Sequence, residues 1–197
     1  MVKVDEIPDE SSQNYGKPFN KEDPIIKYLK TGNTKLLQDM IDNGQINVDD
    51  YAFGGDKTVL HEAVQISDSP DVIDLLLKNK ADVNAIEKET GNTALFLASL
   101  DLKVELVKVI LKYRPHIQHT NFKGQDVFAF LNENLIEKKG VKKTDLTKEQ
   151  LDRLQDILEQ LKSYKQKDNV EDLDEERKHI NRNLDDSGDF RVRHDRM

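Results

Sequence analysis

Histidine has the widest chemical repertoire in this chain, because it can transfer protons or bind a metal near neutral pH. Five histidines occur, His61, His116, His119, His179 and His194, and no cysteine accompanies them. His116 and His119 form an H-x-x-H pair, but a zinc site needs three or four ligands and no third ligand stands nearby in the sequence. The lack of cysteine also excludes a disulfide scaffold and a thiol nucleophile. The histidines therefore predict neither a metal centre nor a catalytic group.

The motifs that cradle a phosphate or present a nucleophile are missing as well. No G-x-x-x-x-G-K, G-x-G-x-x-G, H-E-x-x-H or G-x-S-x-G segment occurs. Gly54-Gly55-Asp56 is interpreted as a turn, because no lysine and helix follow it in the register of a phosphate-binding loop. We expect a protein that is not an enzyme and uses no cofactor.

Charge is divided unevenly along the 197 residues. Residues 1–137 contain 15 basic and 23 acidic side chains, whereas residues 138–197 contain 15 of each. The whole net charge of −8 therefore lies on the first two thirds of the chain. An acidic surface repels phosphate backbones and anionic lipids, so nucleic acid and membrane are disfavoured as partners. The short basic segment 191–196 does not change this expectation.

The sequence favours a location inside the cell. No run of about 18 apolar residues is present, as a membrane span would need. Residues 1–20 contain acids and a proline where a signal peptide has an apolar stretch. The expected location is the cytoplasm, or the nucleus as well if the source is eukaryotic.

A repeat of about 35 residues organises the middle of the chain. Residues 58–63, TVLHEA, recur at residues 93–98 as TALFLA. Each hexamer is followed by an amphipathic stretch, VIDLLL at 72–77 and LVKVIL at 106–111. Such a unit cannot bury both of its faces alone, so the pattern predicts a stack of helix pairs.

These residues resemble the ankyrin repeat, whose pattern is close to G-x-T-P-L-H-x-A-A…V-V-x-L-L-L-x-x-G-A-D-V-N. The match is good over residues 51–118 and fades into degenerate, cap-like repeats at 24–47 and 121–131. The resemblance implies an all-α solenoid over residues 22–137, a right-handed stack of helix pairs with short β-hairpin tips. It also implies that His61 ties the turn to the first helix of its repeat.

Several positions depart from the family pattern. Val59 and Ala94 replace the proline, and Asp126 stands where the last threonine belongs. Phe96 replaces the histidine, so aromatic packing must take the place of a hydrogen bond. Residues 66–70 contain one residue more than the matching stretch of the next repeat.

A helix is predicted over residues 127–137, with Val127, Phe128, Leu131 and Leu135 on one face. A second amphipathic helix is predicted after it. Thr147 can cap it, Gln150 sits at its third position, and Leu146 can contact Leu151. Its apolar stripe contains Leu151, Leu154, Ile157, Leu158, Leu161 and Tyr164. Two roles remain open: the helix folds back on the last repeat, or it serves dimerisation or partner docking. Two heptads are too few for a stable coiled coil by themselves.

The domain organisation follows from these segments. We expect a disordered N-terminal tail over residues 1–21 and an ankyrin repeat domain over residues 22–137. A basic hinge and the amphipathic helix occupy residues 138–164. Residues 165–197 are rich in Asp, Glu, Lys, Arg and Asn, with few apolar residues, and are expected to be largely disordered or a frayed helix. Within them, the Glu- and Arg-rich residues 170–182 can form a transient helix through i,i+4 pairs.

The remaining candidate site is a surface. Ankyrin proteins bind with their hairpin tips and the exposed side of the first helices, and mapping that concave face through the matching hexamers gives a set of expected partner-binding residues. Aromatic residues at such positions are favoured as interface anchors. Ile66, Leu100 and Phe122 could form an apolar strip along this face, with acids such as Glu89 and Asp101 at its rim. Such a strip would suit a helix or loop bearing a few basic residues. The expected residues are Tyr51, Phe53, Lys57, Gln65, Ile66, Glu89, Asn92, Leu100, Asp101, Phe122, Lys123 and Gln125.

The family resemblance implies a non-catalytic protein-binding module: an adaptor, an inhibitor, an immunity protein or an effector. Its partner is another protein, and the chain itself is expected to be monomeric. The alternative is a structural oligomer or accessory subunit that assembles through the helix over residues 147–164 and the charged tail.

Overall fold

Short helices follow one another in pairs along the first three quarters of the chain. The computed structural model describes residues 24–49, 51–52, 55–137 and 146–182, so Phe53, the predicted N-terminal tail and most of the predicted hinge lie outside the described residues. The elements are α1 (Pro24–Thr31), α2 (Thr34–Asp42), β1 (Tyr51–Ala52), β2 (Lys57–Thr58), α3 (Val59–Ile66), α4 (Pro70–Lys78), α5 (Ala94–Leu100), α6 (Val104–Lys112), α7 (Val127–Leu131), a π-helical turn (Asn132–Glu137) and α8 (Lys148–Arg182).

The helix pairs stack in order. The first helices of successive pairs contact one another, α1 with α3, α3 with α5 and α5 with α7. The second helices do the same, α2 with α4 and α4 with α6. The predicted solenoid of helix pairs is therefore confirmed. The chain divides into two units, Met1–Ile157 and Leu158–Met197, and all of this stack belongs to the first.

Strand structure in the described part of the chain is confined to the hairpins that precede the first helices. β1 pairs antiparallel with β2, with Tyr51 opposite Thr58. Ile86 bridges Thr93 in the same way, 35 residues later. The hexamers thus begin at equivalent places, with Thr58 and Thr93 immediately before α3 and α5. The short hairpin tips that the family pattern implies are present at both well-matched repeats.

Each second helix ends at a residue with left-handed backbone geometry. Gly44, Lys80 and Arg114 follow α2, α4 and α6 by two residues and have φ angles of 67°, 71° and 55°. The amide of Lys80 donates to the carbonyl of Leu77, which satisfies one of the last free carbonyls of α4. Glycine adopts this geometry without strain, whereas a side chain costs roughly 1 kcal/mol or more. The chain therefore has lysine and arginine in this geometry where the family pattern has glycine.

The second helices supply the core of the stack. Val72, Ile73 and Leu76 of α4 are at most 1% exposed, and Leu106 and Ile110 of α6 are equally buried. These are the apolar positions of the two amphipathic stretches, so the predicted buried ridges are confirmed. The extra residue predicted in the second repeat lengthens α3 to eight residues, against seven in α5.

The last repeat differs in detail from its prediction. The predicted helix over residues 127–137 is α-helical only to Leu131 and continues as the π-helical turn. Phe130, rather than Phe128, is buried there, and its ring lies 5.2 Å from the ring of Phe96. Asp126 replaces the threonine as N-cap, because its carboxylate accepts the amide of Ala129 at 2.9 Å.

The helix after the repeats begins as predicted. The amide of Gln150 donates to the hydroxyl of Thr147, and the amide of Thr147 donates to the side-chain carbonyl of Gln150. This reciprocal pair is a capping box. Leu154, Ile157 and Leu161 of the predicted stripe are buried.

α8 runs past residue 164, where the apolar stripe ends, and continues to Arg182. Of the two states expected for the start of the tail, disorder or a frayed helix, residues 165–182 have the helix; residues 183–197 lie outside the described residues. The sequence from 148 to 182 contains no glycine or proline and is rich in Glu, Lys, Gln, Leu and Arg, all good helix formers. Low hydrophobicity does not distinguish a disordered segment from a solvated helix, and the uninterrupted helix propensity favours the helix.

We predict that Leu76→Ala lowers the free energy of unfolding by about 2–5 kcal/mol, because it leaves a cavity in the ridge of α4. The adjacent Leu75 is half-buried, so Leu75→Ala is a matched control with an expected cost of about 1 kcal/mol or less. Urea denaturation of both variants measures the difference. Equal losses in the two variants would show that the ridge has been assigned to the wrong face of α4.

We also predict that Ser99→Ala stabilises the chain by about 1 kcal/mol. Ser99 of α5 is fully buried and its hydroxyl has no hydrogen-bond partner among the described residues, so a desolvated polar group is removed at no loss of contacts. Ser67 is also buried, but its hydroxyl accepts the amide of Ser69 at 3.2 Å. Ser67→Ala is therefore expected to lower the stability of the chain. Denaturant midpoints that move in the same direction for both variants would contradict the claim that the Ser99 hydroxyl lacks a partner.

Candidate partner-binding surface

The hairpin tips of successive repeats are tied together by their backbones. The amide of Lys88 donates to the carbonyl of Asp56 at 2.9 Å, and 34 residues further on the amide of Phe122 donates to the carbonyl of Thr90 at 3.0 Å. Each tip is thus fixed to the next by the same bond. The residues at the tips, among them Glu89, therefore form a row with a defined spacing.

A buried polar network supports this row from below. Glu87 is only 5% exposed, and its carboxylate accepts the hydroxyl of Thr90 at 2.5 Å and the side-chain amide of Asn92 at 3.4 Å. The side-chain amide of Asn121 in turn donates to the side-chain carbonyl of Asn92 at 3.1 Å. The network joins two neighbouring hairpins. Asn92, expected at an exposed tip, is instead 6% exposed and supports the hairpins internally.

Lys57 connects a tip with the end of a first helix. Its ammonium donates to the side-chain carbonyl of Gln65 at 2.8 Å and lies 3.4 Å from the carboxylate of Glu87. Two of the expected site residues, Lys57 and Gln65, are thereby brought together. Because Glu87 belongs to the next hairpin, this lysine also links two repeats.

Lys103 holds the far end of the same helix, and the sequence analysis missed it. Its ammonium donates to the carbonyls of Val64, Gln65 and Ser67 at 2.9, 3.2 and 3.0 Å and pairs with Asp68 at 3.0 Å. A cation at the C-terminal end of a helix satisfies free carbonyls and the helix dipole. The lysine lies in the following repeat, 36 to 39 residues away, so nothing local in the sequence marks it.

Phe122 is the large hydrophobic residue that stands out as exposed in the described part of the chain, at 63%. Its ring lies against Gly91: a Cβ atom added there would be 2.6 Å from Cδ1 of Phe122. Gly91 also has a φ angle of +71°. The position therefore favours glycine both because a side chain would clash with the ring and because its backbone is left-handed. One face of the ring is thus held on the backbone of the preceding repeat while most of the side chain meets solvent.

The other expected site residues occupy varied environments. Gln65, Glu89, Asp101 and Lys123 are exposed, and Ile66, Leu100 and Gln125 are half-buried. Gln125 is engaged internally, since its side-chain amide donates to the carboxylate of Glu133. Of Tyr51 only the backbone is described, as the partner of Thr58. The apolar strip expected from Ile66, Leu100 and Phe122 is therefore widely exposed only at Phe122.

His61 has the role that the family pattern implies. Its Nε2 lies 3.2 Å from the carbonyl of Asn92, which can only accept, so Nε2 carries the proton. Its Nδ1 accepts the amide of Thr58 at 3.2 Å and the hydroxyl of Thr58 at 2.8 Å. Burial lowers the pKa of His61, although the neighbouring Glu87 opposes that shift. The ring is therefore held neutral, because a second proton would remove the acceptor that Thr58 uses.

Phe96 occupies the corresponding position of the next repeat and is also buried. Its ring contacts Phe130 and meets His119 edge-on at 6.0 Å. His119 Nε2 lies 2.8 Å from the carbonyl of Gly91. Aromatic packing has thus replaced the hydrogen bonds of His61, as predicted, and His119 has a structural contact of its own.

The described residues contain no group of three His, Asp or Glu side chains that could hold a metal ion. Within the same residues, no helix combines the length and the apolar composition that crossing a membrane requires.

Comparison with protein families gives one match. A family model described as ankyrin repeats, in three copies, matches residues 25–121. The match covers the helix pairs from α1 to α6 and begins in the degenerate repeat that the sequence pattern alone reads as a cap. No curated protein matches the chain.

We predict that replacing His61 by the phenylalanine of the next repeat flattens the pH dependence of stability. With a folded-state pKa below the ordinary 6.5, His61 contributes stability that is complete above about pH 6.5 and is lost as the pH falls towards the folded-state pKa. The free energy of unfolding of the unmodified chain should therefore fall between pH 7.5 and 5.5 by up to about 1 kcal/mol more than that of His61→Phe. Parallel curves, measured by urea denaturation at each pH, would show that His61 is not held neutral.

Proposed function

Because residues 25–121 of this chain belong to the ankyrin repeat family, we propose that the protein is a non-catalytic module that binds another protein through the concave ankyrin surface. Ankyrin repeats generally mediate contacts between proteins. The proposed surface combines the hairpin tips with the exposed ends of the first helices. It comprises Lys57, Gln65, Ile66, Glu89, Leu100, Asp101, Phe122, Lys123 and Gln125.

The exposed ring of Phe122 carries this proposal. Aromatic side chains that are already fixed before binding make strong interface anchors, because little conformational entropy is lost when a partner covers them. Phe122 meets this condition through its contact with Gly91 and the hydrogen bond from its amide to Thr90. Since Phe122 is 63% exposed despite its contact with Gly91, most of its apolar area remains for an external partner to cover.

The proposal includes the domain organisation, the oligomeric state and the cellular location of the protein. The repeat domain is assigned to residues 22–137, and α8 with the residues around it forms a C-terminal appendage. The protein acts as a monomer in the cytoplasm or nucleus, as an adaptor, an inhibitor, an immunity protein or an effector. The identity of the captured partner decides among these roles.

The alternative is a structural oligomer or accessory subunit that assembles through α8. The length of α8 supports it. A helix of 35 residues is long enough for a coiled coil, whereas the stripe over residues 151–164 is not. Light scattering on the full chain distinguishes the two. A monomer at micromolar concentration agrees with the binding module, and a stable dimer favours assembly through α8.

We predict that a partner is captured at the tips and not on the second helices. A photo-crosslinking amino acid placed at position 122 should trap a protein from a lysate of the source organism, and the same amino acid at Lys108 of α6, which is also exposed, should not. Mass spectrometry then identifies the trapped protein.

The Phe122→Ala variant tests the energy of that contact. It should weaken binding of the identified partner by about 2 kcal/mol, mostly through faster dissociation, if the ring is an anchor. Trapping from position 108 alone, or unchanged affinity of Phe122→Ala, would place the binding site elsewhere.

A further inference from the structure

The side of the stack that carries the tips has more negative charge than the side of the second helices. The first helices with their hairpins and following loops, residues 24–33, 55–69, 86–103 and 120–137, contain nine acidic and six basic residues. The second helices with their following loops, residues 34–49, 70–85 and 104–119, contain seven acidic and six basic residues. The first set therefore has a net charge of −3 and the second a net charge of −1. A partner that approaches the tips meets a negative potential.

Two lysines near the proposed surface make internal contacts. Lys57 pairs with the buried Glu87, and Lys103 is bound to three carbonyls and to Asp68. The carboxylates of Glu89 and Asp101 are exposed and have no ion-pair partner among the described residues. These two acids are therefore available to an external cation.

Glu89 and Phe122 are neighbours in the row of tips. Thr90, which follows Glu89, accepts the backbone amide of Phe122 at 3.0 Å. Because the inner side of the Phe122 ring rests on Gly91, an incoming group can contact only its outer side. Glu89 is thus one residue from the carbonyl that holds Phe122, and an aromatic ring together with an unpaired carboxylate suits a cation that can stack and form an ion pair at the same time.

We propose that the partner contributes an arginine whose guanidinium stacks on the outer side of Phe122 and pairs with the carboxylate of Glu89. This rests on the proposed function and specifies the chemistry of the bound segment. Arginine fits better than lysine, because its guanidinium is planar, is more weakly hydrated and presents a fork of donors to a carboxylate. The acidic surface around the site steers such a segment towards it.

Lys123 places a positive charge next to the proposed arginine site. Its side chain is exposed beside Phe122, and its ammonium has no hydrogen-bond or ion-pair partner among the described residues. It therefore repels an arginine at this site. Lys123→Gln should strengthen the binding of the arginine segment about twofold, because the interaction between two exposed charges is weak.

The test is an NMR titration of the full-length chain with three synthetic peptides. They have the sequence Ac-Gly-Ser-Leu-X-Leu-Ser-Gly-NH2, in which X is arginine, lysine or citrulline, the last being an uncharged analogue of arginine. We expect the arginine peptide to shift the amide signals of Gly91, Phe122 and Lys123, and to bind about tenfold more tightly than the citrulline peptide, with the lysine peptide in between.

Variants then separate the two contacts. Phe122→Leu keeps an apolar side chain but removes the aromatic face, and Glu89→Gln removes the charge; each should weaken the arginine peptide about fivefold and leave the citrulline peptide nearly unchanged. Glu105→Gln on α6 is the matched control, because its carboxylate is also exposed but lies on a second helix. It should have no effect on either peptide.

The outcomes distinguish this inference from the proposed function. If the arginine and citrulline peptides shift the signals around Phe122 equally, the surface binds protein segments but not through arginine, and only the inference is overturned. The inference also fails if no peptide shifts these signals while the crosslinker at position 122 still traps a partner. If the shifts fall on α4 and α6 instead, both proposals are wrong.

Discussion

Each helix pair of this chain has more apolar surface than its two helices can cover for each other, and the rest of the structure depends on how the neighbouring pairs cover it. Ile73 and Leu76 of α4 and Ile110 of α6 are buried because second helix lies against second helix. A stack built in this way gains stability mainly from its interfaces. The contacts that fix one repeat on the next therefore decide both the stability of the chain and the spacing of its surface residues.

Two kinds of contact make these interfaces, and the same position of the repeat supplies both. At the first junction, His61 is held by Thr58 and reaches across to the carbonyl of Asn92. At the second, Phe96 packs against Phe130 instead. A polar junction fixes orientation through bonds that must all be made, whereas an aromatic one tolerates small displacements and adds buried area. The replacement of one ring by the other changes the chemistry of the junction, while first helix contacts first helix at both junctions.

The sequence predicted those features that depend on local pattern. Residue spacing located the helix pairs and their buried ridges, and the order of Thr147 and Gln150 predicted the capping box. Features that depend on the meeting of two repeats were missed. Lys103 caps a helix that ends more than thirty residues before it, and Asn92 has the polar character of a tip residue but is buried by its bonds to Glu87 and Asn121. The second half of α8 was left open between disorder and a frayed helix, because low hydrophobicity separates buried from solvated chain but does not separate helix from coil.

The same contacts are the reason why the binding surface proposed above centres on the tips and not on the ends of the first helices. Near those ends, Lys103 and Asp68 neutralise each other, and Ile66 and Leu100 are half-buried. At the tips, the backbone bonds from Lys88 to Asp56 and from Phe122 to Thr90 fix the positions, while the side chains of Glu89 and Phe122 stay exposed. The proposed binding there requires little reorganisation, because the scaffold has already been ordered by folding. Under that proposal, affinity depends on Gly91 beneath Phe122 as much as on the ring itself, since a side chain at position 91 would displace the ring without touching the partner.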